Sequence, residues 1–368
     1  MSFKKKRRAG CWLLSVFLIL AAFFQPAFLQ IDSAAENQSG LKVHYLDVGQ
    51  GDCTLIESGE HAMLIDAGNN NKGTYVQNYL QKQGIEKLDY VIGTHPDADH
   101  IGGVDVVLTK FECETVIMPD RENKTKTYDD VIQAMKYKGI KKTAPEVGKE
   151  YALGDARFTI VAPAKENYGD NNNDYSVGIL LKYGEKRFLF TGDAEEASEE
   201  DMQESGIDLH ADVYKAAHHG SRSASTEKFM NAVNPQYAVI SCGEGNSYGH
   251  PHSEVLNRFR QMGIKVFRTD EQGTIIAESD GTSITWNCQP SESWQSGEQS
   301  KSDEEKSSTT SKQSDGRQTY VLNTNTKKIH KPSCKSVGKI SDKNKKKAKT
   351  KRSELISEGY TPCKQCNP

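Results

Sequence analysis

Four side chains that can bind a metal ion occupy positions 95–100 of the chain: His95, Asp97, Asp99 and His100. The stretch before them, 89–93, is typical of a buried strand, and the two glycines that follow allow a helix to begin close behind. Imidazole suits zinc, manganese and iron, whereas carboxylate suits harder ions. We therefore expect a strand-to-helix loop that binds one divalent ion or bridges two. The alternative is a polar turn capped by its aspartates, since Asp and His are common in loops.

The pattern His-x-Asp-x-Asp-His resembles the His-x-His-x-Asp-His loop of the metallo-β-lactamase superfamily, with Asp97 at the position of the second histidine. Five other stretches between residues 41 and 286 match that family in the same order. They are Tyr-Leu-Asp-Val-Gly-Gln-Gly-Asp (45–52), Leu-Ile-Asp-Ala-Gly (64–68), Phe-Thr-Gly-Asp (190–193), Ala-His-His-Gly-Ser (217–221) and Tyr-Gly-His-Pro-His (248–252). Together they resemble the catalytic domain of the competence DNA-uptake channel proteins (ComEC type). The resemblance implies an α/β fold, a four-layer αββα sandwich.

The resemblance also implies a binuclear metal site. Asp193, after an apolar strand, is placed like the carboxylate that bridges two ions, although it could instead cap the next helix. Of the adjacent imidazoles, we expect His218 to bind the second ion and His219 either to form a hydrogen bond nearby or to contact substrate, since neighbours on a strand point to opposite sides. The predicted ligands are thus His95, Asp97, Asp99, His100, Asp193 and His218, with Asp99 also in a catalytic role.

Three further residues are predicted to act on the substrate. His250 resembles the residue that closes the site, as general acid or oxyanion donor. Tyr248, in the loop before it, is predicted to contact substrate. Ser221 is predicted to begin a helix whose N-terminal amides receive a phosphate, with simple capping as the alternative.

No histidine occurs between residues 167 and 177, where the wider superfamily has a further metal ligand. With Asp97 also replacing an imidazole, the site is richer in oxygen than those of its zinc-binding relatives. Harder ions prefer oxygen ligands, so this composition favours Mn²⁺ or Mg²⁺, while zinc remains possible.

Composition divides the 368 residues into four segments. Residues 1–35 combine five basic residues, an apolar run and Ser-Ala-Ala, which is typical of a cleaved signal peptide; an uncleaved membrane anchor is the alternative. Either predicts membrane contact, transient if the segment is cleaved, and a location outside the cell. Residues 36–288 are predicted to form the hydrolase domain, as a monomer, and residues 289–318, rich in Ser, Glu and Gln, a disordered linker.

Charge is distributed unevenly among these segments. Residues 1–35 contain five Lys/Arg and one Asp, and residues 317–368 contain fourteen Lys/Arg and three Asp/Glu, while the whole chain has a net charge of −3. The stretch 36–316 therefore has a net charge of −18. An acidic body accepts an anionic substrate only if bound metal offsets the local field, whereas the basic tail could hold a polyanion directly.

Residues 319–368 contain a second set of metal-binding side chains: His330, Cys334, Cys363 and Cys366. One His, one Cys and a Cys-x2-Cys pair suit a closed tetrahedral zinc site in a segment too short to fold around a core alone. This segment resembles the small Ada-type metal-binding module. A disulfide among the cysteines is the alternative, since an extracellular location permits it.

These features predict a secreted metal-dependent phosphodiesterase that hydrolyses DNA through a metal-bound hydroxide, with two ions in the hydrolase domain and one zinc in the tail. One alternative is a cell-wall phosphorylcholine or teichoic-acid esterase of the same fold. Another is a non-catalytic DNA- or wall-binding protein, although a degenerate site would not need the complete ligand set. β-Lactamase activity is less expected, because two imidazoles are missing.

Overall fold

The computed structural model describes residues 40–298, 318–332, 334–351, 355, 360–363 and 366. They belong to two units, one ending at Gly297 and the other beginning at Glu298. The predicted signal peptide and most of the predicted linker lie outside the described residues. Within those residues, no helix has the length and apolar character needed to cross a membrane.

The first unit contains two β-sheets and eight α-helices within its described part. The strands are β1 (Leu41–Tyr45), β2 (Thr54–Ser58), β3 (His61–Ile65), β4 (Lys87–Ile92), β5 (Glu112–Ile117), β6 (Lys142–Thr143), β7 (Glu150–Leu153), β8 (Ala156–Ala162), β9 (Gly178–Tyr183), β10 (Lys186–Phe190), β11 (Val213–Lys215), β12 (Tyr237–Ile240), β13 (Lys265–Arg268), β14 (Ile275–Ser279) and β15 (Ile284–Trp286). The helices are α1 (Gly73–Lys82), α2 (Ala98–Ile101), α3 (Val104–Lys110), α4 (Lys126–Lys138), α5 (Glu196–Glu204), α6 (Glu227–Val233), α7 (Ser253–Gln261) and α8 (Thr269–Gln272).

Both sheets are buried on their two faces. The strand order is β15-β14-β1-β2-β3-β4-β5-β6 in the first sheet and β13-β12-β11-β10-β9-β8-β7 in the second. Tyr45, Phe158 and Phe188 belong to the apolar layer between the sheets. The outer face of the first sheet packs against α1, α3 and α4, and that of the second against α5, α6 and α7. The layers are therefore helix, sheet, sheet and helix, and the predicted αββα fold is confirmed.

The topology brings several strand ends to one edge of the sandwich. In the first sheet β3, β4 and β5 are parallel, and in the second β10, β11 and β12 are parallel. The carboxyl ends of parallel strands lie on the same side of a sheet, and loops there are free to carry functional groups. The loops that follow β3, β4, β10, β11 and β12 carry all the histidines and aspartates predicted for the metal site of this unit.

Two predicted boundaries differ from the structure. The helix expected to begin at Ser221 begins at Glu227, with Thr226 as its N-cap, because residues 221–225 form a separate turn.

The hydrolase domain, predicted to end at residue 288, continues to Gly297. Trp294 packs on the outer apolar layer of the second sheet, and the amide of Gly297 donates to the Pro251 carbonyl. A partly buried aromatic ring and backbone hydrogen bonds thus attach this polar stretch to the first unit.

The second unit is built on a four-stranded sheet. Its strands are β16 (Gln318–Asn323), β17 (Lys328–His330), β18 (Lys345–Thr350) and β19 (Thr361–Pro362), in the order β18-β16-β17-β19. One face carries a small core of Tyr320, Leu322, Ile329, Leu355 and Tyr360. Such a core is too small to stabilise a domain by itself, so a bound metal ion would add to the folding free energy.

The fully buried carboxylate of Glu199 on α5 joins this helix to the start of α6. It accepts hydrogen bonds from the amides of Ser225 and Thr226, the second at 2.9 Å. We expect Glu199→Ala to lower the free energy of unfolding by about 2–4 kcal/mol, because two buried amides lose their acceptor. Glu200→Ala, at an exposed position of the same helix, should change it by less than about 0.5 kcal/mol. Denaturant unfolding measures both, and equal effects would contradict the assigned role.

Candidate metal centre

The metal-binding loop predicted from the sequence lies between β4 and α2 and is held by the turn at 49–52. The amide of Asp52 donates to the Asp99 carbonyl at 3.1 Å. A Cβ atom at Gly51, where φ is 144°, would lie 2.3 Å from that carbonyl oxygen, so this position requires glycine. The Gly-Gln-Gly-Asp turn therefore fixes the backbone that presents Asp99 and His100.

His100 is oriented by Asp66, the residue that follows β3. Nδ1 of His100 lies 2.8 Å from Asp66 Oδ2, and the same carboxylate accepts hydrogen bonds from the amide and hydroxyl of Thr94. Both side chains are buried. A histidine that donates from Nδ1 to a carboxylate presents an unprotonated Nε2 to a metal ion. Asp66 thus orients a candidate ligand from behind the metal site.

His219 is oriented in a similar way by the second sheet. Its Nδ1 lies 2.9 Å from the Ser241 carbonyl and 3.3 Å from Asp52 Oδ1. The other oxygen of Asp52 forms a buried ion pair with Lys215 at the end of β11. Because Lys215 occupies that oxygen, we assign Asp52 to the support of His219 rather than to the ligands. Nε2 of His219 lies 3.4 Å from Asp99 Oδ2.

His218 also faces the site, contrary to the predicted alternation. Both histidines have left-handed backbone angles, φ 47° for His218 and 55° for His219, and belong to a tight turn rather than to a strand. Their Nε2 atoms lie 3.8 Å and 3.5 Å, respectively, from the same oxygen of Asp193. His219 is the more deeply buried of the two imidazoles and lies among the candidate ligand atoms, and its contact with substrate stays a prediction.

Glu195 fixes the orientation of His218. Its carboxylate lies 3.0 Å from His218 Nδ1 and accepts hydrogen bonds from the side chains of Asn171, Asn173 and Ser223. Burial alone would raise the pKa of Glu195, but these hydrogen bonds, led by that of His218, lower it to about 2. The asparagine-rich stretch 171–173 thus contains no histidine. Through Glu195, however, it fixes the position of His218, which comes from another loop.

His95 and Asp97 form the more open side of the site. His95 is buried, with Nδ1 3.3 Å from the Ser176 hydroxyl and Nε2 3.9 Å from Asp97 Oδ2. The other oxygen of Asp97 accepts a hydrogen bond of 2.8 Å from Asn172. The carboxylate that replaces the superfamily's second histidine is therefore held in place and aimed toward His95.

The buried polar atoms at the centre lack hydrogen-bond partners among the described residues. These atoms are Nε2 of His95, His100 and His219, and Oδ1 of Asp52 and Asp193. Asp193 Oδ1 lies 3.2 Å from His100 Nε2, but the pair does not have hydrogen-bond geometry. Buried polar groups are normally paired, so a set that converges without pairing fits a bound cation. The side-chain atoms of His100, Asp193 and His219 that can bind a metal ion lie within 4.8 Å of one another and of an oxygen of Asp52.

Charge compensation within this cluster also fits a cation. Burial alone would raise the pKa of Asp193, but the imidazoles of His100 and His219 hold it well below its usual range. Burial alone would lower the pKa of His219, yet Asp193 and Asp52 raise it to about 10. The carboxylates thus retain protons on neighbouring imidazoles, and a divalent ion would displace those protons on binding.

His250 lies over the cluster as a neutral imidazole. Burial and the nearby His219 and His218 lower its pKa to about 3. Nδ1 lies 3.5 Å from the side-chain nitrogen of Gln50, whose oxygen already accepts from the Gly243 amide. Nδ1 is therefore the acceptor and Nε2 carries the proton. Of the two predicted roles, this tautomer favours a hydrogen-bond donor to a developing negative charge over a general acid.

The two other residues predicted to contact substrate differ in position. Ser221 is buried, and its hydroxyl lies 2.9 Å from that of Ser223, which donates to Glu195. It supports His218 instead of facing solvent, and no helix begins there to receive a phosphate. Tyr248 is 64% exposed, and its ring stacks on His250 with centroids 5.6 Å apart. Its substrate contact stays a prediction.

Sequence reasoning missed three supporting residues: Gln50, Glu195 and Lys215. Lys215 left a readable signal, because a single charged residue within the apolar run 213–217 requires a buried partner. Gln50 and Glu195 left none, because their partners are more than twenty residues away in the chain.

The second unit brings the four predicted zinc ligands together. Ligand atoms of His330, Cys334, Cys363 and Cys366 lie within 4.8 Å of one another, and all three cysteines are free thiols. Pairing of β19 with β17 places Cys363 beside His330. A hydrogen bond with His330 lowers the pKa of Cys334 to about 6, which favours the thiolate that binds metal. The set fits zinc, and the structure does not show the alternative disulfide.

The positions of the adjacent imidazoles predict their contributions to metal binding. We expect His218→Ala and His219→Ala each to lower the divalent metal retained after dialysis, because each removes an Nε2 aimed at Asp193. His252→Ala is the matched control, since this imidazole contacts His250 but is not among the converging ligands. Elemental analysis measures the metal content. Wild-type content in His218→Ala would exclude His218 from the ligands.

The carboxylate of Asp97 leads to a prediction about which metal ion the site prefers. Asp97→His should shift retention from Mn²⁺ toward Zn²⁺, because an imidazole is a softer ligand than a carboxylate. Competition dialysis against equal Mn²⁺ and Zn²⁺, followed by elemental analysis, measures the shift. Asp120→His, at an exposed carboxylate, controls for added imidazole. An unchanged metal ratio in Asp97→His would contradict the argument from ligand hardness.

Comparison with known proteins supports the family resemblance. Residues 46–244 match the model of the metallo-beta-lactamase superfamily. ComE operon protein 3 of Bacillus subtilis is 29% identical over 64% of this chain and 32% of that protein. Recombination protein 2 of Haemophilus influenzae is 29% identical over 74% of this chain and 32% of that protein. Competence protein ComA of Neisseria gonorrhoeae is 30% identical over 70% of this chain and 34% of that protein.

The matched region thus spans about a third of the length of these relatives. Their names agree with the ComEC-type resemblance, and the matched superfamily region includes every predicted ligand of the first unit. The chain belongs to the metallo-β-lactamase superfamily, and its homologues are consistent with the competence-protein branch.

Proposed function

We propose that this protein is a metal-dependent phosphodiesterase that hydrolyses DNA outside the cell membrane. The observation that carries the proposal is Asp193, which lies between His100 on one oxygen and His218 and His219 on the other. A carboxylate surrounded in this way suits two ions rather than one. Bound divalent ions would supply an activated water and neutralise charge on a phosphate oxygen.

The residues of the chain supply position and hydrogen bonding around that site. Asp66 and Glu195 fix the imidazoles of His100 and His218, so that their Nε2 atoms point inward. Gln50 keeps the proton of His250 on Nε2, where it could donate to a phosphate oxygen. Tyr248, exposed beside it, offers a ring face on which a nucleobase could stack.

The choice of DNA rests on the relatives and on charge. The named relatives include proteins of competence and recombination, which favours DNA over a wall polymer. The first unit is acidic, so the substrate must be held by metal at the site or by the basic second unit. The N-terminal sequence, with its basic and apolar segments, supports export.

Incubation with bis-p-nitrophenyl phosphate and with DNA, with Mn²⁺, Mg²⁺ or Zn²⁺ added, tests the proposal. We expect both substrates to be hydrolysed, most rapidly with Mn²⁺. Asp99→Ala combined with His100→Ala should reduce both rates to the background without enzyme, because two ligands are lost. Wild-type turnover in the double variant would refute the metal-hydrolase mechanism. Release of phosphorylcholine or glycerol phosphate from cell walls without DNA cleavage would favour the esterase alternative.

A further inference from the structure

The second unit has an unusual balance of charge. Residues 318–351 contain eleven lysines and one acidic residue, Asp342. Asp342 pairs with Lys345 at 3.2 Å, which leaves the other ten lysines without an acidic residue from this stretch. Strand pairing decides where these charges lie, because residues opposite each other on neighbouring strands share a face of the sheet.

The register places alternate lysines of β18 on one face. Lys345 lies opposite Asn323, Lys347 opposite Val321 and Lys349 opposite Thr319. On the other side of β16, Asn323 is opposite Lys328 and Val321 is opposite His330. We call Lys328, Lys345, Lys347 and Lys349 the lysine face. It is the face of the sheet that carries the zinc ligand His330.

The opposite face is the core of the unit. Tyr320 and Leu322 contribute to this core, and their partners on β18 are Ala348 and Lys346. Lys346 is thus on the same strand as the lysine face but has the opposite orientation. Lys346, Lys347 and Lys349 are all exposed. Lys346 therefore differs from Lys347 and Lys349 in orientation and not in charge, which makes it a matched control for them.

A lysine on an edge strand also prevents pairing with other sheets, and β18 is an edge strand. That function requires only one or two charged positions. In β18 every position that faces away from the core is lysine. Alternate residues of a strand are about 7 Å apart, so three such lysines span about 14 Å, over which duplex DNA carries about eight phosphates.

We propose that the lysine face binds the phosphate backbone of DNA and holds the polymer on the protein; this inference rests on DNA being the substrate. The aromatic rings described in this unit, Tyr320 and Tyr360, are in the core, so base stacking does not contribute on this face. Contacts to phosphates position a nucleic acid without reading its sequence. Binding is therefore independent of sequence and sensitive to salt.

The test compares full-length variants in the inactive Asp99→Ala, His100→Ala background, which prevents cleavage. Affinity for a duplex oligonucleotide is measured at several NaCl concentrations. Each lost phosphate contact lowers the slope of log K against log salt by about 0.9. We expect Lys347→Gln to lower the slope by one contact and Lys347→Gln with Lys349→Gln by two. Lys346→Gln, with the same change of charge on the other face, should leave the slope unchanged.

Three outcomes would overturn the inference. An equal decrease in Lys346→Gln would assign the effect to net charge, and no decrease in any variant would assign these lysines to solvation. Loss of binding to poly(glycerol phosphate) but not to DNA would make a wall polymer the partner. Zinc content and circular dichroism verify that each variant is folded.

A separate assay distinguishes failure of the lysine face from failure of the proposed function. If wild-type protein does not hydrolyse bis-p-nitrophenyl phosphate with any metal, the hydrolase proposal fails. The expected pattern of salt slopes would support the lysine face even then, because binding is measured without catalysis.

Discussion

The metal centre depends on the burial of negative charge at one point between two sheets. Asp193 lies just after β10, and the imidazoles of His100 and His219 beside it offset its charge. A buried carboxylate is costly unless it is paired. Protonated His100 and His219 meet that requirement in the absence of metal, and a divalent ion meets it more fully. Neutralisation of the Asp193 carboxylate thus stabilises the cluster of imidazoles and favours binding of a cation at this point.

Rigid partners behind the ligands make this arrangement specific. Asp66 holds His100, the Ser241 carbonyl and Asp52 hold His219, and Glu195 holds His218. These partners come from loops of both sheets, so metal binding couples the two halves of the sandwich. Ligand orientation from such partners is usually worth about 10–100-fold in metal affinity.

The chain separates its two electrostatic tasks. The acidic first unit concentrates carboxylates around a site that needs cations, while residues 318–351 of the second unit contain eleven lysines and one acidic residue. In the proposal, the positive charge that binds the polyanion comes from the second unit and the metal-binding carboxylates come from the first.

The sequence by itself determined the fold class and the set of candidate ligands, because those signals are local. Strand periodicity, the His-x-Asp-x-Asp-His spacing and the late Cys-x2-Cys pair can be recognised in short windows of the sequence. The tertiary structure alone decided how His218 and His219 are used, because two left-handed residues turn both rings inward where a strand would separate them. It also paired Lys215 with Asp52, a contact across 163 positions of the chain. Such contacts depend on how sheets stack, and side-chain packing at that distance has no local pattern in the sequence.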